Sequence, residues 1–395
     1  MTEYRCATDA DYENIIEMAN HAFRPAEWTG DFAKDTGKES FFPRILPKLY
    51  QNRRTAPMHY IAVQDGQIVG VVGNFDLPTM VCGEELKVVG IGTVSTHPDH
   101  RREGHMLRLM DDSIEHAKAI GADYLVLGGQ RQRYEHWGFG QAGVNPAFKL
   151  DEGNFRRLYG ADAAFGYEFV PFREADAADI AAARVLRTAE MTHVLHAEDQ
   201  EFNVHFSMGA EPFVIRQNGL FKGTLMYFQK GAIADLRLTD GREAGKVLND
   251  FVKTQELDSL RVNRVAPDQR EIVAALSKIA GDAMILACEM IRVLNYERTV
   301  RAFLKMACAL RSFPDCGFTA EFDNGEKLYI GVSGGEADVK PADSPAEVRM
   351  ENPTDAVNFL FGNMRSVTDY GVKAEKAIVA PFLPLPYYQP ACDEI

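Results

Sequence analysis

Apolar positions along the first 145 residues change period several times, and each change marks an element. Alternation at residues 3–6 predicts a short strand. Ile15, Ile16, Met18 and Ala19 share one face of a helix, with Asp9 or Asp11 available to cap it. HYIAVQ and QIVGVVGNF are β-rich runs joined at Asp65-Gly66, a dipeptide that tolerates positive φ, and they predict a hairpin. Val89, Ile91 and Val94 predict a further strand over residues 86–96, and Pro98 ends its ladder. Met106, Leu107 and Met110 begin a helical stripe, so a helix is expected from residue 102 to 120, closed by Gly121. Residues 124–127 read as a buried strand. The stretch 23–42 has no clean period and predicts a surface connection or a flexible lip over a site.

The pattern then starts again. FREADAADIAAARVL echoes YRCATDADYENIIEM, and PFVIRQNGLFKGTLMYF echoes HYIAVQDGQIVGVVGNF, with Gly219 and Gly223 in the places of Gly66 and Gly70. A third pattern begins at MIRVLN, residues 290–295. It continues through a helix bearing Val300, Phe303, Leu304 and Met306, a hairpin around Asn324-Gly325, and a helix over 352–361 with Pro353 in its first turn. Three units follow, over residues 1–149, 150–289 and 290–395, in a mixed α/β (α+β) chain.

Composition narrows the function. With 46% hydrophobic and 25% charged residues the chain reads as soluble and globular, and 395 residues exceed one ordinary core. A formal net charge of −14 argues against nucleic acid or an anionic membrane as partner and favours a cationic small molecule such as an amine. No signal peptide or apolar run of about twenty residues is visible, and Cys6, Cys82, Cys288, Cys308, Cys316 and Cys392 are scattered without a Cys-x-x-Cys pair. Reduced thiols in a cytoplasmic protein are expected.

The chemistry concentrates at VGIGTVSTHPDHRREGHMLRLM, residues 89–110. Unpaired N–H groups at a helix start carry the positive end of the macrodipole, so a loop exposing them beside Arg101 and Arg102 suits a diphosphate. This segment resembles motif A of the GNAT superfamily of acetyl-CoA-dependent N-acetyltransferases, a strand and Pro-bearing turn followed by Arg-x-x-Gly-x-Gly or Ala; here Met106 stands at the last position. YEHWGF, residues 134–139, resembles a second segment of that superfamily. The three-unit order resembles the Eis (enhanced intracellular survival) subgroup, which implies two tandem GNAT-like domains, the second degenerate around Arg242 and Gly245, plus a C-terminal sterol-carrier-type α/β domain.

The resemblance implies further that Val94, Ser95 and Thr96 hold pantetheine and that Arg101, Arg102, Glu103, Gly104, His105 and Met106 hold the phosphates of acetyl-CoA. Tyr134 would protonate the departing thiolate, since a phenol is comparable in acidity to a thiol. The carboxylate of Ile395 would be the base, delivered by the Pro- and aromatic-rich tail PFLPLPYYQPACDEI. Glu27, Trp28, Asp31 and Glu394 are candidates for an acidic, aromatic pocket around a cation. The acceptor would be a primary amine of an aminoglycoside- or polyamine-like molecule, or lysine, and the assembly a homo-oligomer, with a hexamer as one candidate. Two other readings compete: a non-catalytic acyl-CoA or lipid-binding protein, and a metal hydrolase. The histidine groups His97, His100, His105 and His193, His196, His205 lack the helical i, i+4 spacing of a zinc protease, so no metal is expected.

Overall fold

In the computed structural model, which describes residues 1–23, 41–228, 231–366, 372–374, 378 and 380–395, the early periodicities become β1 (Thr2–Cys6), α1 (Tyr12–Phe23), β2 (His59–Gln64), β3 (Gln67–Asp76), β4 (Val88–Thr96), α2 (His105–Ala119) and β5 (Tyr124–Leu127). The hairpin turns at Asp65-Gly66, both at positive φ. At the start of α1, Thr8 is the cap and Asp11 bonds back to its N–H at 2.8 Å, so Asp11 completes a capping box. Helix α2 begins three residues later than its pattern suggests, because Gly104 takes a left-handed φ of 84° just before it. Leu107, expected on the apolar stripe, is exposed, and the buried face runs through Leu109, Met110, Ile114 and Ala117. The stripe's true phase is set by the first full turn after Gly104.

Two seven-stranded sheets carry the repeat. The first has the order β1-β2-β3-β4-β5-β7-β6, with β6 at Gly140–Gln141 and β7 at Met290–Val293. The second runs Tyr167–Pro171, Glu211–Gln217, Leu220–Phe228, Ala232–Leu238, Ser259–Val262, Asn145–Asp151, Asp282–Leu286. The sixth place in each is filled from across a sequence boundary. The strand from the MIRVLN run, which opens the third pattern, pairs antiparallel with β5, whereas Asn145–Asp151 joins the second sheet. A period-2 run shows that a strand exists but not which edge it completes.

The third unit contributes a five-stranded sheet, with helix Tyr296–Leu310 packed on strand Glu336–Pro341 and helix Pro353–Phe361 beside β6. Its core is continuous with the first sheet: Phe303 is fully buried, with its ring 6.3 Å from Tyr124, 5.5 Å from Phe361 and 5.5 Å from Tyr387 of the tail. Replacing Phe303 by Ala empties a site walled by three elements. It is expected to cost ~3–5 kcal/mol in denaturant-induced unfolding. Among the described residues no helix is long and apolar enough to cross a membrane.

Candidate active site

The site begins where two parallel strands part. β4 pairs with β5 only over Val88–Gly90 against Tyr124–Val126. Beyond Gly90 the two diverge, so the β5-facing edge of β4 is open. A bulge opposite Val72 puts Thr93 at φ 54° and helps turn β4 away. Into the gap opens a cavity of about 580 Å³ lined by β4 (Ile91 to Val94), the end of β5 and the Gly128-Gly129 turn, Tyr134, the 287–290 segment, and the tail residues Gln389, Glu394 and Ile395. Val94 lines the cavity, whereas Ser95 is buried behind it and its Oγ has no hydrogen-bond partner.

Past the cavity, at the C-terminal end of β4, the chain passes through His97–His100 into the phosphate-type loop. Arg101, Arg102, Glu103 and Gly104 are exposed, and a Cβ added at Gly104 would meet nothing within 4 Å. The space over the α2 N-terminus is therefore open. The Met106 side chain does not fill it, because it packs against the core beneath α2. His105 is buried; its Nδ1 is 2.8 Å from the Tyr4 hydroxyl and its Nε2 is 3.2 Å from Glu103 Oε2, which also lies 3.3 Å from His100 Nδ1. These three residues have ligand-type atoms within 4.8 Å of one another and brace the loop from below. His193, His196 and His205 do not gather: His193 bonds the Glu190 carbonyl at 2.9 Å, His205 stacks on Phe172, and His196 holds the tail.

The equivalent loop of the second unit is closed. Asp240 caps Arg242 N–H and pairs with its guanidinium, and a Cβ at Gly245 would overlap Tyr159 and Ile279. Two loops that share Arg-x-x-Gly thus differ in the property that matters for an anion, which is free space.

Tyr134 is 7% exposed, held between Trp137 and Phe139 with ring centroids 6.2 and 6.5 Å away, and lines the cavity. Burial pushes its phenol above the ordinary value, against the opposing influence of Arg133. It therefore stays protonated at neutral pH. Gly129 is needed beside it, since a Cβ there would come 3.0 Å from the Tyr134 ring at a φ of 138°.

The tail reaches the same cavity. Tyr387 and Tyr388 are buried, and residues 392–394 are gripped one after another. Lys48 Nζ donates to Cys392 O at 2.5 Å and to Ser207 Oγ at 3.1 Å, and Ser207 donates to Glu394 O at 3.1 Å. Asp393 Oδ1 lies 2.6 Å from His196 Nε2, and Arg264 pairs with Glu394. Burial alone would raise the Asp393 carboxyl, but His196, Lys48 and Arg187 outweigh it and hold it well below the usual carboxylate range. Ile395 ends against β4, with its main-chain carbon 3.6 Å from the place of a Cβ on Gly92; a Cβ on Gly90 would overlap its side chain.

The structure therefore brings Val94, Tyr134, Glu394 and Ile395 to one cavity, with residues 101–106 following the C-terminal end of the same strand. Glu27, Trp28 and Asp31 lie outside the described residues. The sequence reading missed Lys48, Ser207, Arg264 and Glu289. Glu289 alone had a visible signal, a single carboxylate in the apolar run ILACEMIRVL. Cys288, next to it, is no nucleophile: burial pushes its thiol up to about 12, so it stays uncharged.

A splayed parallel strand pair, an open helix N-terminus beyond it and a buried phenol beside the gap make up the site. In agreement, residues 3–142 match the profile described as acetyltransferase (GNAT) domain, and the chain carries such a domain over that span. Solved structures share the fold across nearly the whole chain. A GCN5-related N-acetyltransferase from Kribbella flavida is 14% identical with a TM-score of 0.62, covering 95% of this chain and 94% of its own. One from Anabaena variabilis ATCC 29413 is 12% identical with a TM-score of 0.63, covering 99% and 98%. Eis1 from Mycobacterium abscessus is 12% identical with a TM-score of 0.61, covering 95% and 94%. No curated protein matches the chain.

Proposed function

We propose that this chain transfers the acetyl group of acetyl-CoA directly to a primary amine of a cationic small molecule, polyamine- or aminoglycoside-like, or of lysine. One observation carries the reading: Tyr134, the open edge of β4 and the Glu394-Ile395 end meet in a single cavity of about 580 Å³. The open edge at Val94 offers backbone groups for the pantetheine amides. The loop from Arg101 to Met106 supplies two guanidinium groups and unpaired helix N–H groups for the pyrophosphate. Tyr134 returns a proton to the thiolate sulfur. A terminal carboxylate on Ile395, held against Gly92 by the grip on residues 392–394, takes a proton from nitrogen as the amide forms.

The purified protein, screened with acetyl-CoA against linear polyamines, aminoglycosides and lysine peptides, is expected to release CoA thiol with at least one class. Binding of acetyl-CoA without release for any acceptor would instead support the acyl-CoA-binding alternative.

A further inference from the structure

An alkylammonium loses two protons when its nitrogen is acetylated, and the two are very different acids. The first must leave before attack, because the ammonium nitrogen has no lone pair. Its reference pKa is about 10.4, as for a lysine side chain. The second leaves the cationic nitrogen of the tetrahedral adduct, which is a far stronger acid because its carbon bears an oxygen and a sulfur. A terminal carboxylate with a reference pKa of about 3.5 matches the second proton and not the first.

We infer that Glu289 is the acceptor of the first proton, with Arg264 and Glu394 as its positioning residues; this rests on the acetyl-transfer reading above. Glu289 lies in the cavity wall between the last strand of the second sheet and β7, with a side chain 10% exposed. Its Oε2 would be 3.1 Å from a Cβ on Gly128, so the absent side chain at Gly128 lets the carboxylate reach the end of β5. Its Oε1 accepts from Arg264 at 3.0 Å, and the same guanidinium pairs with Glu394. Two carboxylates thus share one guanidinium in the cavity wall, which leaves a surplus negative charge to attract a cation or hold a proton. The charged and titratable groups around it are Arg264 and Glu394, Ile395 on the tail, Tyr134 and Arg133 across the cavity, and Cys288 beside it.

Burial first, and then Glu394, push the Glu289 carboxyl up to about 8, against the lowering influence of Arg264. Such a group is a better proton acceptor for an alkylammonium than an ordinary carboxylate. The protons balance. Glu289 takes one from the ammonium, and the neutral nitrogen attacks the thioester carbon. The carbon–sulfur bond breaks, and Tyr134 protonates the sulfur. Ile395 takes the second nitrogen proton and returns it to Tyr134, and Glu289 releases its proton to solvent.

The test compares Glu289→Gln with the wild type on two acceptors, an alkyl diamine and an alkoxyamine that is already neutral at pH 7. With the diamine, kcat/KM is expected to fall about a hundredfold, and the rise of wild-type activity with pH through about 8 should vanish. With the alkoxyamine, the variant should work nearly as well as the wild type, which also shows that it is folded and binds acetyl-CoA. Equal losses on both acceptors, or an unchanged pH profile, would overturn the role of Glu289. Failure of the wild type to release CoA with any amine would instead overturn acetyl transfer itself.

Discussion

Changing Tyr134 to Phe is expected to lower kcat by about 10²–10⁴-fold, the range for loss of a positioned acid, with acetyl-CoA affinity nearly unchanged. The substitution removes one oxygen and keeps the ring between Trp137 and Phe139. The loop over residues 101–106 follows the C-terminal end of β4 and is not among the residues lining the cavity beside Tyr134, so the substitution leaves the proposed phosphate contacts in place. Burial raises the phenol's pKa, so its stability contribution is carried by the neutral form. Removing the hydroxyl therefore leaves no buried charge. Steady-state turnover together with an acetyl-CoA titration checks this; wild-type turnover in the variant would remove Tyr134 from the reaction.

Deleting residues 393–395 is expected to abolish measurable turnover. It removes the terminal carboxylate, the Glu394 partner of Arg264 and the Asp393 partner of His196. The deletion also destabilises the protein, since stripping one partner from a buried ion pair costs ~3–5 kcal/mol. A second variant separates the two effects. Adding one glycine after Ile395 keeps every side chain and displaces only the carboxylate. Turnover should fall in that variant too, while its unfolding midpoint stays near that of the wild type. Undiminished turnover in the extended protein would rule out the carboxylate as proton acceptor.

Much of the first unit was legible because its signals are local. Asp65-Gly66 between two β-rich runs can do little but turn, and Gly121 after an amphipathic stripe ends a helix. Motif residues around Arg101 and Tyr134 were legible for the same reason, as each lies within one contiguous strand–turn–helix. The repeat was legible as an echo of glycines, but its meaning was not. Gly104 and Gly245 occupy the same place in the same pattern, yet one faces open space and the other packs against Tyr159 and Ile279.

The chain alone therefore determined the order of its elements, the existence of a repeat and the turn that leads from β4 into α2, since these follow from backbone periods and turn residues within short windows. Tertiary structure alone decided which strands complete which sheet. It sent Met290–Val293 into the first sheet and Asn145–Asp151 into the second. It also decided that Lys48, Ser207, His196 and Arg264, far apart in sequence, converge on the tail. Those contacts depend on long-range burial: a lysine or glutamate in a sequence looks solvated until the fold encloses it and requires a partner. The parting of β4 from β5 opened the cavity, and long-range packing brought the tail residues Gln389, Glu394 and Ile395 into its wall.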